Sequence, residues 1–303
     1  MYATNHLGTA VNTSRKTDPS SIQKIALLAG NGILPHSLTA AFQKNKTPYH
    51  IIAFQGLTES SIVEAHPHTY VGIGEVGRIL DVLKAENVTH IIMAGALRRP
   101  SFSEIKVDAL GAKWLARLGL SMFSGDDGLL KKLIQLLEEE GFSVMSPHEV
   151  LQNLVIETGV HTTKSPDPEA FQDIARGLSV LKALDHHDVG QAVIVQQGLV
   201  LGIEAIEGTA GLLKRTAEYK REGFGGVLVK TAKSSQTHKA DLPTIGLDTV
   251  KQIKQAGLAG MAVSADTTQI LQKELVIEAL NNAGLFLIAL SPGEIIKLTE
   301  TYE

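Results

Sequence analysis

Five side chains in the second half of the chain have the chemistry and the placement to act on a phosphate. Glu204 and Glu207 follow one apolar run, in "EAIEGTAGLLKR", and Lys230 and Lys233 follow another, in "GGVLVKTAK". Asp241 is the one carboxylate in the mostly polar stretch 231–241, which separates that second run from "LPTIG". A carboxylate at a strand end can hold a divalent cation or activate a water. Lysines beside it can offset the charge of a phosphate. A polar interruption of this length inside a packed domain is more often a working loop than a connector. Asp241 also fits a plainer part, an N-terminal residue of the next helix. Thr209 stands where a helix N-cap is expected.

The first half offers weaker candidates. "AGNGILP" puts Gly30, Asn31 and Gly32 where a first strand turns into a first helix, a place where backbone amides can cradle a phosphate. The same glycines also serve a plain tight turn. Pro35 occupies the position where a dinucleotide fingerprint needs a small residue, and the chain has no Gly-Lys-Ser/Thr phosphate loop. Arg98 and Arg99 follow a strand, where two guanidiniums could grip a diphosphate or simply lie in solvent. Asp126 and Asp127 open a helical run, as caps or as ligands of Mg²⁺ or of a ribose. His186 and His187, like His66 and His68, read as surface loops, because adjacent side chains diverge and no i, i+4 pair converges on a metal.

These residues need a frame, and the frame is legible. From Lys24 the chain alternates short buried runs ("KIALLAG", "HIIAFQG", "HIIMAGA") with amphipathic helical runs, the pattern of a parallel sheet covered on both faces. Two further helices and a short strand, "FSVMS", complete a Rossmann-like half. "TGVHTTKSPDPEAF" has linker composition. The expected organisation is a tail over 1–23, an N-terminal Rossmann-like α/β domain over 24–157 and a C-terminal α/β domain over 158–303. In the second domain "QAVIVQQGLVLGIEAI" predicts two strands joined at Gln197-Gly198, and 266–284 predicts one continuous helix.

Composition narrows the function classes. The chain has 303 residues, 44% of them hydrophobic, enough for two cores, and a net charge of −4. That balance argues against a nucleic-acid binder. With no cysteine there is no thiolate chemistry and no disulfide. No apolar run is long enough to span a bilayer, and Met1–Ser21 lacks a signal-peptide core, so a cytoplasmic protein is expected.

Taken in order, "AGNGILP", "GEVGRIL", "AGALRRP", "GDDGLL", "DVGQAVIV", "EAIEGT", "LVKTAK" and "DLPTIG" resemble the LpxI-type UDP-2,3-diacylglucosamine pyrophosphatases of lipid A biosynthesis. The resemblance implies two α/β domains joined by a linker and a hydrolase that uses water and Mg²⁺ or Mn²⁺ to split the substrate diphosphate. Its products would be UMP and 2,3-diacylglucosamine 1-phosphate. It places an essential, metal-binding aspartate on Asp241. Glu204, Glu207, Lys230 and Lys233 would share the catalytic work, and Gly30, Asn31, Gly32, Arg99, Asp126, Asp127, Thr209, Arg215 and Thr244 would contact the substrate. The implied partner is an amphipathic UDP-glycolipid met at the cytoplasmic face of the inner membrane, with peripheral contact only. A homodimer is compatible with this reading. Two positions depart from the family pattern: Ala210, where an acidic residue commonly follows Gly-Thr, and 236–239, where Gln-Asp is common. The competing reading is a member that binds a UDP-sugar or glycolipid without hydrolysing it.

Overall fold

The computed structural model describes residues 24–97, 105–119, 126–151, 153–187, 189–233 and 242–300. The expected tail, Arg98, Arg99 and Asp241 lie outside the described residues.

In the first half, strand Ile25–Ala29 (β1) leads into helix Ile33–Asn45 (α1), then strands Tyr49–Phe54 (β2) and His68–Val71 (β3). Helix Val76–Ala85 (α2), strand His90–Ala94 (β4), helices Ala109–Leu118 (α3) and Asp126–Glu139 (α4), and strand Ser143–Met145 (β5) complete it. The five strands form one parallel sheet in the order β3-β2-β1-β4-β5, that of a Rossmann fold; the alternating pattern predicts the parallel sheet, not its order. The pleat divides β1 between two cores. Ile25, Leu27 and Ala29 pack with Leu38 and Phe42 of α1, whereas Ala26 packs with Leu80, Trp114 and Leu136 of α2, α3 and α4. The third strand in the chain is therefore β3, which sequence periodicity did not reveal. Its His-Thr-Tyr-Val run sits at the sheet edge with only Val71 fully buried.

One carboxylate ties two of these helices together. Asp108 caps α3 by accepting from the Gly111 amide at 2.6 Å, and it also accepts from the Gly77 amide at 2.7 Å and the Arg78 amide at 3.3 Å in the first turn of α2. Burial acts to raise its pKa, but four backbone amides outweigh that and hold the carboxyl below its ordinary value. Replacing Asp108 with Ala removes a cap from two helices at about 1 kcal/mol each, so a loss of about 2 kcal/mol is expected in denaturant melts. A depressed folded pKa also fixes the sign of the pH dependence. The contribution is whole above the unfolded aspartate value of about 3.9 and fades as pH falls through the lower, folded value. The stability gap between wild type and Asp108→Ala is therefore expected to narrow only in that acid range.

The second half carries strands Gly159–Val160 (β6), Ala192–Gln196 (β7), Leu199–Ile203 (β8), Val227–Lys230 (β9), Thr244–Ile245 (β10), Gly260–Ser264 (β11), Gln269–Ile270 (β12) and Phe286–Leu290 (β13). Its helices are Pro168–Leu184 (α5), Gly208–Thr216 (α6), Leu247–Gln255 (α7), Lys273–Asn282 (α8) and Pro292–Glu300 (α9). A six-stranded sheet runs β6-β13-β11-β9-β7-β8, with β9, β11 and β13 parallel and the β7–β8 hairpin reversing direction beside β9. Helices α6, α7 and α8 supply Leu212, Ile253 and Leu280 to the core on one face, and α5 supplies Ile174 and Leu178 on the other. The chain thus folds into two α/β units, the first Rossmann-like.

The hairpin turns where expected, at Gln197 and Gly198, both with positive φ (53° and 75°). Asp173 of α5 holds that turn: its buried carboxylate accepts from the Gly198 amide at 2.7 Å and the Gln197 amide at 3.1 Å. Burial pushes its carboxyl above the ordinary value.

Two expectations change. Residues 266–284 are not one helix: β12 pairs in parallel with β10 and α8 begins only at Lys273, after Gln272 in the left-handed region. Thr267 donates to Ser264 Oγ at 2.7 Å, and this local bond competes with a helical start. The segment with linker composition also contains structure. β6 pairs antiparallel with β13, the Leu287 amide donates to Thr162 Oγ1 at 2.9 Å, and Asp167 caps α5. Side-chain hydrogen bonds dock this segment where apolar periodicity is missing. Just before it, the Ile156 amide bonds the Thr268 carbonyl and Ile156 packs in the core beneath α6, α7 and α8.

Candidate active site

In open α/β sheets the ligand edge is the carboxyl edge of the parallel strands. β9 and β11 end there at Lys230 and Ser264. The reversal in the β7–β8 hairpin brings the start of β7 and the end of β8 to the same edge, since Ala192 pairs with Lys230 and Glu204 directly follows β8. Four chain segments therefore deliver Gln191, Glu204, Lys230 and Ser264 to one rim.

Lys230 and Glu204 are each only 6% exposed, unusual for charged side chains. Thr209, in the first turn of α6, joins them: Lys230 Nζ donates to Thr209 Oγ1 at 3.0 Å, and Thr209 Oγ1 donates to Glu204 Oε1 at 2.8 Å. The other carboxylate oxygen accepts from the Gln191 amide at 3.0 Å. Lys230 also reaches the Thr244 carbonyl at 3.5 Å. Thr209 is therefore not the cap that its position in the sequence predicts; Glu207 occupies the cap position of α6 and makes no side-chain cap bond. The demands of a buried ammonium and a buried carboxylate take the hydroxyl instead.

Gly190 makes this packing possible. It sits at φ 53°, and a Cβ there would lie 2.1 Å from the Glu204 carbonyl oxygen. Beyond it, Asp185, Val189, Gly190, Gln191, Thr231 and Lys233 line a shallow hollow beside the cluster. Further hydroxyls gather at the neighbouring strand ends. The Ala232 amide donates to Ser264 Oγ at 3.1 Å, Ser264 meets Thr268 Oγ1 at 3.3 Å, and Thr244 Oγ1 donates to the buried Gln269 Oε1 at 3.3 Å.

Glu207 and Arg215 engage each other. Arg215 Nε donates to Glu207 Oε1 at 2.9 Å, and Arg215 Nη2 also reaches the Ile203 carbonyl. Glu207's own backbone amide first, and Arg215 second, hold its carboxyl below the ordinary range. The pair lies on the exposed side of α6, separate from the buried cluster.

In the first half, the order of the sheet reverses between β1 and β4, and the loops leaving these strands meet each other. The Gly30 amide donates to the Ala94 carbonyl at 2.8 Å, and Asn31 and Ala96 exchange two backbone bonds at 2.8 and 2.9 Å. A Cβ on Gly30 would fall 2.5 Å from the Gly95 carbonyl oxygen, so this glycine is fixed by loop-on-loop packing. Asn31 Oδ1 accepts from the Glu59 amide at 2.8 Å. The amides of Gly30 and Asn31 are thus committed to the protein, and Gly32, at φ 99°, occupies the N-cap of α1. Asp126 and Asp127 open α4 as expected. Among the described residues no group of three or more His, Asp or Glu is placed to hold a metal.

Family models of the LpxI N-terminal domain and the LpxI C-terminal domain match residues 24–154 and 157–288. The chain belongs to the LpxI family. As an LpxI chain it is 35% identical over 279 residues to the UDP-2,3-diacylglucosamine pyrophosphatase LpxI of Caulobacter vibrioides, a match that covers 90% of this chain and 99% of that one. In this LpxI chain the sequence motifs "DVGQAVIV", "EAIEGT" and "LVKTAK" are the strand ends that meet at the cluster. Glu204, Lys230, Thr209 and Thr244, named from sequence, converge there. Sequence reasoning missed the Gln191 amide, Gly190, Ser264 and Gln269. A usable signal existed for two of these: "GMAVS" followed by Ala-Asp-Thr-Thr-Gln is a buried strand opening onto hydroxyls and an amide.

Proposed function

We propose that this chain hydrolyses the diphosphate of UDP-2,3-diacylglucosamine, releasing UMP and 2,3-diacylglucosamine 1-phosphate for lipid A biosynthesis. The observation that carries the reading is the match along nearly the whole of a pyrophosphatase. It is supported by a buried ammonium held by oriented hydroxyl and carbonyl groups at the ligand edge of the sheet. Hydrolysis of a phosphoric anhydride needs charge neutralisation, an oriented water and a stabilised leaving phosphate. Lys230 serves the first and third needs, with Lys233 at the hollow. Glu204, fixed at both oxygens by the Gln191 amide and the Thr209 hydroxyl, can orient a water. Mg²⁺ or Mn²⁺ would supply further neutralisation, with Asp241 and substrate phosphate oxygens as hard ligands, the set such ions prefer. No helix among the described residues is long and apolar enough to cross a membrane, so contact with the cytoplasmic face of the inner membrane, where the acylated substrate is met, is peripheral in this reading.

The test is UMP release from UDP-2,3-diacylglucosamine by the purified protein with Mg²⁺, with Mn²⁺ and with chelator. Release that needs the metal and falls at least about 100-fold in Asp241→Asn is expected. Substrate binding without release in any metal would replace the hydrolase with a binder.

A further inference from the structure

We propose that Ser264 is a positioning residue: its hydroxyl fixes the direction in which the chain leaves β9 and so sets Lys233 at the hollow beside the cluster. This rests on the hydrolase reading of the same site and gives Ser264 a task other than touching substrate.

Three observations support it. The two amides that follow β9 find acceptors on opposite sides. Thr231 donates to the Gln191 carbonyl at 3.0 Å, beside β7, and Ala232 donates to Ser264 Oγ at 3.1 Å, at the end of β11. The Ser264 hydroxyl is itself held: it accepts from Thr267 Oγ1 at 2.7 Å and meets Thr268 Oγ1 at 3.3 Å. With both lone pairs taken by donors, its proton goes to Thr268, so all three of its hydrogen-bonding positions are filled within the protein. The same short segment also receives the far end of the polar stretch. The Gln269 amide donates to the Pro243 carbonyl at 2.7 Å, and Thr244 Oγ1 donates to Gln269 Oε1 at 3.3 Å.

Beyond the end of a strand the ladder no longer dictates where the chain goes, and the next few bonds decide it. At β9 a buried side chain, not a backbone carbonyl, takes the Ala232 amide. Lys233 is the following residue and lines the hollow together with Gln191 and Thr231. A charge stabilises a reacting phosphate only from the right place, and a misplacement of about 1 Å costs up to about 100-fold in rate. Ser264 therefore acts on the reaction through the placement of Lys233.

The test is a double-mutant cycle in the full chain: wild type, Ser264→Ala, Lys233→Ala and the two together, each measured for UMP release. Ser264→Ala is expected to lower kcat about 10- to 100-fold, and Lys233→Ala at least as much. The double variant should match Lys233→Ala within about twofold, because a residue that acts through Lys233 has nothing left to position once the lysine is gone. A merely structural serine would instead add its own loss to both backgrounds. In crystal structures, Ala232 and Lys233 should shift by about 1 Å or more between wild type and Ser264→Ala. Ser264→Ala turnover equal to wild type, losses that multiply in the double variant, a Lys233→Ala protein without loss, or an unmoved Lys233 would each overturn the proposal. If Ser264→Ala does not fold, Ser264→Cys takes its place in the cycle, since a thiol fills the site but accepts only weakly. Should the wild type release no UMP, the hydrolase reading falls, and the comparison of crystal structures alone decides whether Ser264 positions this segment.

Discussion

Lys230→Met is expected to lower kcat for UMP release by about 100- to 1000-fold, the range found when one preorganised donor is removed from a site of developing charge. Methionine keeps the length of the apolar stem, which lies buried at the end of β9, and removes only the ammonium. Glu204 retains two donors, the Gln191 amide and the Thr209 hydroxyl, so its own carboxylate is not orphaned. The melting temperature should accordingly stay within about 4 °C of wild type, the shift that 1 kcal/mol produces in a domain of this size. Lys230→Arg should not rescue, because a planar fork cannot reproduce a point donor to Thr209 Oγ1 and the Thr244 carbonyl. Near-normal kcat in the Met variant would remove Lys230 from the chemistry and leave it a structural lysine.

Gly190→Ala is expected to damage both folding and turnover. The left-handed backbone alone costs an alanine about 1–2 kcal/mol. A Cβ at 2.1 Å from the Glu204 carbonyl oxygen adds a clash with backbone that no side-chain rotation can relieve. Relief requires the segment before β7 to move away from the segment after β8, and the bond from the Gln191 amide to Glu204 runs across that same gap. A total destabilisation of about 2–4 kcal/mol follows, with a kcat loss larger than the folded fraction explains. Gly198→Ala is the control. Its φ is 75°, but nothing lies within 4 Å of an added Cβ, so it meets the backbone cost without the clash and lies at the opposite end of the hairpin from the site. Equal losses of turnover in the two variants would mean that Gly190 matters only as a flexible residue.

How much of this was legible depended on physical length and burial. The buried runs behind β1, β2, β4, β7, β9, β11 and β13 carried their identity in apolar patterning, and the Gln197-Gly198 turn announced the hairpin that β8 completes. β3, β6, β10 and β12 are two to four residues long and exist because a neighbour pairs with them, which no local pattern records. At the site, Glu204 and Lys230 were visible as charges directly after apolar runs, since a strand end is the one place such a charge can be both buried and useful. Thr209 was visible but misassigned, because an N-cap is decided by the helix alone and this hydroxyl by two charges from other strands. Glu207 and Arg215 were read as acting on phosphate or metal, and the sequence could not show that they lie within reach of each other. Gly190 and the Gln191 amide escaped because backbone groups carry no residue-type signal.

The reversed hairpin also bears on how the protein is made. Gln191, Glu204, Thr209 and Lys230 all lie within one short stretch of the chain, joined by β7–β8 and β7–β9 pairing, whereas a purely parallel sheet would have drawn them from separated crossovers. Short loops close at low entropic cost and favour rapid folding. The buried ammonium and the carboxylate can therefore be brought together by this local pairing, ahead of the longer-range pairing of β11 and β13.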